Sequence, residues 1–162
     1  MRNISLLRSA LSLAAVMLAA ASAFAYDFMV GGLCYNINSG GTTVSVTYQF
    51  ELTYYNDFRA YSSISANVTI PETVSNGGKT YKVTAIGDEA FRYCKTLKSA
   101  TIPSSVKSIG NKAFWQCTAL ESVSIPGSVT SLGEWAFCWC SSLKTATLPN
   151  SVTSIGTFAF YQ

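Results

Sequence analysis

SVKSIGNKAF (residues 105–114), SVTSLGEWAF (128–137) and SVTSIGTFAF (151–160) are three versions of one ten-residue phrase, and KVTAIGDEAF (82–91) is a fourth, more divergent one. Their valines, Val83, Val106, Val129 and Val152, recur at a constant spacing of 23 without slippage. Self-similarity at a fixed period of about 20–50 residues marks solenoids and repeat arrays, whose units cannot bury an apolar face alone. A lone unit of this length loses more chain entropy than its few apolar side chains return, so each copy must be covered by the next.

Aligned, the copies share V-x-x-I-G-x-x-A-F-x-x-C-x-x-L-x-x-A/V-x-I/L-P. The first runs through Ile86, Gly87, Ala90, Phe91, Cys94, Leu97, Ala100, Ile102 and Pro103. The second and third repeat it from Val106 and Val129, and a fourth starts at Val152 and is truncated at Gln162. Leu97-x-x-Ala100-x-Ile102 matches the strand pattern of leucine-rich repeats, with Ser99 and Thr101 alternating outward. Pro103 lacks an N–H and ends the strand. The glycine column requires either positive φ or close backbone approach. Ala-Phe followed by x-x-Cys-x-x-Leu predicts a short helical turn with Phe, Cys and Leu facing inward. The expected fold is a leucine-rich repeat solenoid, with a short parallel strand plus a helical turn per 23-residue repeat.

Cys94, Cys117 and Cys140 share one phase, where neighbouring side chains run parallel. Buried unpaired thiols are the expectation, with a disulfide or a metal site as alternatives. Cys138-Trp139-Cys140 is C-x-C rather than a redox C-x-x-C.

Residues 1–25 follow different rules. Arg2 and Arg8, an apolar run from Leu11 to Ala21 and the small-x-small site Ala23-Phe24-Ala25 describe a secretory signal peptide. Export to the cell surface or the extracellular space follows. Removing Arg2 and Arg8 from 11 basic residues leaves nine against eight acidic ones, a net charge of +1. Nothing in that balance favours nucleic acid, and no further run is long and apolar enough to span a membrane. The chain contains no histidine, which closes Ser-His-Asp and Cys-His catalysis within it. Acidic residues are sparse, and the pair Asp88-Glu89 reads as two solvated charges at a turn. A non-enzymatic protein without a cofactor is expected.

Residues 26–80 form a β-rich N-terminal cap and an atypical first repeat in this reading, leaving 81–162 as the repeats, three full and one truncated. Leu33, Tyr35 and Ile37 alternate, as do Val44, Val46, Tyr48 and Phe50, with Asn38-Ser39-Gly40-Gly41 between them, which predicts a hairpin. A second hairpin turns through Asn76-Gly77-Gly78. Thr69-Ile70-Pro71 echoes the end of a repeat, although nine extra residues precede Val83. The aromatic stretch from Tyr48 to Tyr61 reads as cap packing, with a ligand groove as the alternative, and Asn67-Val68-Thr69 has the form of a glycosylation sequon. Because the fourth repeat lacks its strand segment, the chain reads as a fragment of a longer array, with an open edge that pairs with another chain as the alternative.

The stretch IPSSVKSIGNKAFWQCTALESVSIP resembles the BspA-like leucine-rich repeat proteins, surface proteins of Bacteroides-type bacteria and some protists, over residues 69–162. The opening YDFMVGGLCYNI is similar to the start of such proteins. The resemblance implies an exported, curved solenoid, among whose relatives are adhesins that bind host matrix proteins or other bacteria, and it carries over no catalytic residues.

Variable positions in a regular frame are where recognition is expected. On the strand face these are Lys98, Ser99, Thr101, Glu121, Ser122, Ser124, Lys144, Thr145 and Thr147. Beside the inward Phe lies an aromatic cluster of Tyr93, Trp115, Trp135, Trp139, Phe158 and Tyr161, expected to be partly exposed. A solvated face and a shield over the Ala-Phe turn are the plainer readings of the two sets. The functional expectation is an adhesin-type module for a protein or glycan ligand, with a structural spacer as the alternative.

Overall fold

The structure, a computed structural model, describes residues 26–48 and 66–162. The predicted leader and the aromatic stretch beyond Tyr48 lie outside these residues. In chain order the strands are β1 (Phe28–Val30), β2 (Leu33–Ile37), β3 (Thr43–Thr47), β4 (Asn67–Thr69), β5 (Thr73–Asn76), β6 (Lys79–Ile86), β7 (Ser99–Thr101), β8 (Ser108–Ile109), β9 (Ser122–Ser124), β10 (Ser131–Leu132) and β11 (Ser154–Ile155). One sheet has the order β1-β2-β3-β6-β8-β10-β11, with β5 also paired to β6, and the other runs β4-β7-β9.

The 23-residue period becomes register. Ser108 pairs with Ser131 and Ser131 with Ser154, all in parallel. In the other sheet Ala100 pairs with Val123, and a single bridge joins Ser122 to Thr145. The L-x-x-L-x-L segment of the third repeat is thus a bridge rather than a full strand. Each of the first two repeats contributes strand residues to both sheets, where the sequence suggested one strand per unit.

Both hairpins are present. β2 and β3 pair antiparallel around Asn38–Gly41, and β5 and β6 around Gly77-Gly78. Gly77 and Gly78 have φ of 56° and 76°. Two consecutive positive φ values are the geometry of a tight primed turn, which side-chain-bearing residues resist. β3 then pairs parallel with β6, matching Val44 with Val83 and Val46 with Ile86. The first hairpin therefore supplies the strand that a preceding repeat would have supplied. β4 does the same for the second sheet, with Val68 beside Ala100.

The core is a set of columns. Val83, Val106 and Val129 are fully buried, as are Phe91, Phe114 and Phe137. The phenylalanine rings stack at 5.0, 5.0 and 5.2 Å from Phe91 through Phe114 and Phe137 to Phe160, with interplanar angles of 11°, 6° and 5°.

The predicted helical turn does not form, and no helix occurs among the described residues. The Ala-Phe segment is instead a run of turns whose N–H groups alternate between two destinations. Glu89, Phe91 and Tyr93 donate to Asn111, Ala113 and Trp115 of the next repeat, at 2.8, 2.7 and 2.8 Å. Arg92 and Cys94 instead donate back within their own turn, to Glu89 and Phe91. A helix sends successive donors along its own axis, so it could not also bind its neighbour. Left-handed residues enforce the alternation: Glu89 and Tyr93, Lys112 and Gln116, and Trp135 and Trp139 all have φ between 53° and 61°. Right-handed helix cannot propagate through such positions.

The glycine column resolves in favour of close approach. A Cβ on Gly110 would lie 2.6 Å from the amide nitrogen of Asp88 and 2.7 Å from the carbonyl carbon of Gly87. Neighbouring repeats meet here backbone to backbone, with Gly110 N–H donating to Ile86 O at 2.8 Å and Gly133 N–H to Ile109 O at 2.8 Å.

All five cysteines are buried, and none of them forms a disulfide. The Cys117 thiol donates to Phe91 O at 3.0 Å and the Cys140 thiol to Phe114 O at 3.1 Å, so this column ties each repeat to the one before it. Burial pushes the Cys94 thiol from 9.0 up to about 12 and raises Cys117 as well. Donation requires the protonated form, which desolvation favours.

Three outcomes follow for stability, each read by urea unfolding. Phe114→Ala costs about 3–5 kcal/mol, because it empties the middle of a stacked column; Trp115→Ala, at a half-buried position, costs far less, and equal losses would contradict the packing. Gly110→Ala costs about 1–3 kcal/mol or more, since backbone rather than a flexible side chain blocks the new methyl group. The third concerns alkali. The buried thiols keep their protons in the fold after the unfolded chain has released its own, so their contribution is intact below about pH 9 and is lost as pH climbs toward about 12. The unfolding midpoint should fall over that window, and Cys94→Ala/Cys117→Ala should flatten the fall.

Candidate binding surfaces

The strand-face residues are brought into rows by the register of β4, β7 and β9. Ser99 stands beside Ser122, Thr101 beside Ser124, and Ser122 beside Thr145. Lys98, Glu121, Lys144 and Thr147 are exposed in the same array. Glu121 N–H donates to Lys98 O at 2.9 Å, which aligns the charged column. No ion pair forms between Lys98, Glu121 and Lys144 among the described residues. Ser99 Oγ donates to Asn67 Oδ1 at 2.7 Å. The face is polar, with short Ser and Thr side chains beside the exposed column of Lys98, Glu121 and Lys144.

The aromatic residues assemble into two contiguous groups on the turn edge. Tyr93 packs on Trp115 at 5.0 Å. Arg92 lies over both rings, its guanidinium carbon 4.9 Å from the Tyr93 centroid and 4.8 Å from that of Trp115. Its Nη1 also donates to Glu89 Oε2 at 2.9 Å. The second group joins Trp135 to Phe158 at 4.8 Å, Phe158 to Tyr161 at 5.7 Å and Trp139 to Tyr161 at 6.4 Å. Trp139, Phe158 and Tyr161 are 50%, 51% and 52% exposed, whereas Tyr93, Trp115 and Trp135 are half-buried. The first group is therefore partly the shield that sequence reasoning offered as its plainer account. The second is an open apolar ridge.

Cys138 lies in the column between Trp115 and Tyr161 and is buried, with its thiol raised by desolvation. Arg92 belongs to the same column, yet nothing in its local sequence marks it as a lid over two rings. Its phase, one full period before Trp115, was the available signal.

A groove of about 450 Å³ runs beside the ridge, lined by Tyr48, Asp88, Glu89, Asn111, Lys112, Glu134 and Trp135. Among these, Trp135 stands in the binding cluster expected from the sequence, and Tyr48 begins the stretch whose alternative reading is a ligand groove. Asp88, Asn111 and Glu134 follow the glycine in successive repeats, and two of them link repeats directly. Asp88 Oδ1 accepts Asn111 N–H at 2.7 Å, and Asn111 Oδ1 accepts Glu134 N–H at 2.8 Å. Asp88 is thus not merely a solvated turn charge. It closes a backbone donor of the next repeat.

Among the described residues no cluster of three or more His, Cys, Asp or Glu side chains is placed to hold a metal ion. No helix there is long and apolar enough to cross a membrane. What these surfaces offer is shape, aromatic area and hydrogen-bonding groups, the means of recognition.

Comparison with known proteins agrees with the architecture. The family model described as BspA type leucine-rich repeat region (6 copies) matches residues 79–162. A leucine-rich repeat protein from Bacteroides ovatus is 34% identical with a TM-score of 0.72, over 84% of this chain and 33% of its own. A leucine-rich cell surface protein from Faecalibacterium prausnitzii is 31% identical with a TM-score of 0.69, over 82% of this chain and 33% of its own. A leucine-rich repeat protein from Bacteroides capillosus is 32% identical with a TM-score of 0.66, over 79% of this chain and 86% of its own. The chain spans about a third of the length of the first two. No curated protein matches it. Period, parallel ladders and family match agree: the chain belongs to the BspA-type leucine-rich repeat family.

Proposed function

We propose that this chain is the non-enzymatic recognition module of an exported cell-surface protein of adhesin type, and that it binds a protein partner. The observation that carries the reading is the ridge of Trp139, Phe158 and Tyr161, each about half exposed and in ring contact. Aromatic side chains of this kind supply much of the energy of protein–protein contacts, whereas scattered exposed apolar residues do not. The polar rows from Lys98 to Thr147 add a separate hydrogen-bonding surface. Export rests on the leader pattern in residues 1–25 and on the cell-surface description of the F. prausnitzii relative. In this proposal the parallel ladders form a solenoid, and residues 26–80 cap its N-terminal end.

A spacer role, in which the repeats hold another domain away from the cell, draws on the regular 23-residue advance of the ladders. Binding of the purified chain to immobilised extracellular-matrix proteins separates the two. Recognition predicts saturable binding to at least one of them, weakened about tenfold or more by Trp139→Ala/Tyr161→Ala with the thermal midpoint little changed. A chain that binds none of them, or whose binding ignores that double substitution, has no recognition ridge.

A further inference from the structure

The groove beside the ridge is not needed for protein recognition, and we propose that it is a saccharide-binding site, with one sugar ring laid on the Trp135 indole and its hydroxyls held by Asp88, Asn111, Lys112 and Glu134. A pyranose presents a C–H face that is apolar and a rim of hydroxyls that each donate and accept. Its site must combine a flat apolar wall with both kinds of polar partner. The groove has that combination: aromatic walls at Trp135 and Tyr48, donors at Asn111 and Lys112, and carboxylate acceptors at Asp88, Glu89 and Glu134. Its volume of about 450 Å³ lies within the range of about 300–1,000 Å³ that ligand sites occupy.

Other ligand classes fit less well. An apolar ligand would cover five polar side chains and strip them of water without replacing their hydrogen bonds. A polyanion would meet three carboxylates against one lysine. A basic peptide would meet the cationic Lys112 in the lining, and Glu89 is already committed to Arg92 at 2.9 Å. An uncharged polyol avoids each of these costs.

The polar groups are also held in place. Asn111 Oδ1 is occupied by Glu134 N–H, which leaves its Nδ2 as the available donor. Asp88 Oδ1 is occupied by Asn111 N–H, which leaves Oδ2 as an acceptor. Trp135 is propped by Phe158 at 4.8 Å. Glu89, Lys112 and Trp135 sit at φ of 58°, 53° and 58°. The repeat explains those angles, but not the bulky residues at them: glycine or asparagine would avoid a cost of roughly 1–2 kcal/mol per position. A carboxylate, an ammonium and an indole stand there instead, all three on the groove.

The test uses the intact chain on a glycan array, followed by titration of cellohexaose, maltohexaose and chitohexaose monitored by tryptophan emission and calorimetry. Saturable binding of at least one glycan is expected. Trp135→Ala and Asn111→Ala should each weaken it about tenfold or more, which is about 1.4 kcal/mol. Because Trp135→Ala also removes a contact to Phe158, Glu134→Gln provides a second reading at an exposed position and should weaken binding without moving the thermal midpoint. The double substitution Trp139→Ala/Tyr161→Ala, which decides the protein-recognition ridge, should leave glycan affinity unchanged. The proposal falls if no glycan binds, if Trp135→Ala and Asn111→Ala leave affinity unaltered, or if poly-lysine binds the groove in their place with strong salt dependence.

Discussion

Backbone contact at the glycine column is the constraint from which the rest of the structure follows. At Gly110 a methyl group would lie 2.6 Å from the neighbouring amide nitrogen, so the repeats approach as closely as two peptide chains can. That approach brings the Gly110 N–H within 2.8 Å of Ile86 O. It also sets the separation at which phenylalanine rings stack at 5.0 Å and thiols reach the carbonyls of the preceding repeat. A residue with a side chain at this position would open several ladders at once, because they share one spacing.

The ladders in turn decide what is left outside. Inter-repeat hydrogen bonding consumes alternate N–H groups of the Ala-Phe segment, and the first and last of those donors in each repeat are left-handed residues whose side chains lie outside the core. The columns at 89, 112 and 135 and at 93, 116 and 139 are therefore display positions, whose side chains the core does not specify. Aromatic rings, an ammonium, a carboxylate and an amide stand there. The ridge and the groove are two parts of this edge, one mainly apolar and one mainly polar.

Much of the aromatic edge could be read from phase alone. Trp135 and Phe158 stand one period apart and touch, and Trp115 and Tyr161 flank Cys138 in one column. The groove was hidden because its residues differ in type along each column: aspartate, asparagine and glutamate in one, glutamate, lysine and tryptophan in the other. A repeat is recognised by identities that recur, whereas a site is built from those that do not. Arg92 was hidden for the same reason. Its guanidinium covers Tyr93 and Trp115 across a repeat boundary, 4.8 Å from the Trp115 ring, and no local motif announces that.

The 23-residue spacing by itself determined the parallel register and the buried valine, phenylalanine and cysteine columns, and paired glycines determined both hairpin turns, because periodic apolar residues and positive-φ positions constrain the backbone locally. The path of the Ala-Phe segment was decided only in three dimensions. Its A-F-x-x-C-x-x-L spacing satisfies a helical turn and a left-handed turn ladder equally. Choosing between them requires knowing where alternate N–H groups find acceptors, and those acceptors lie one repeat further along the chain.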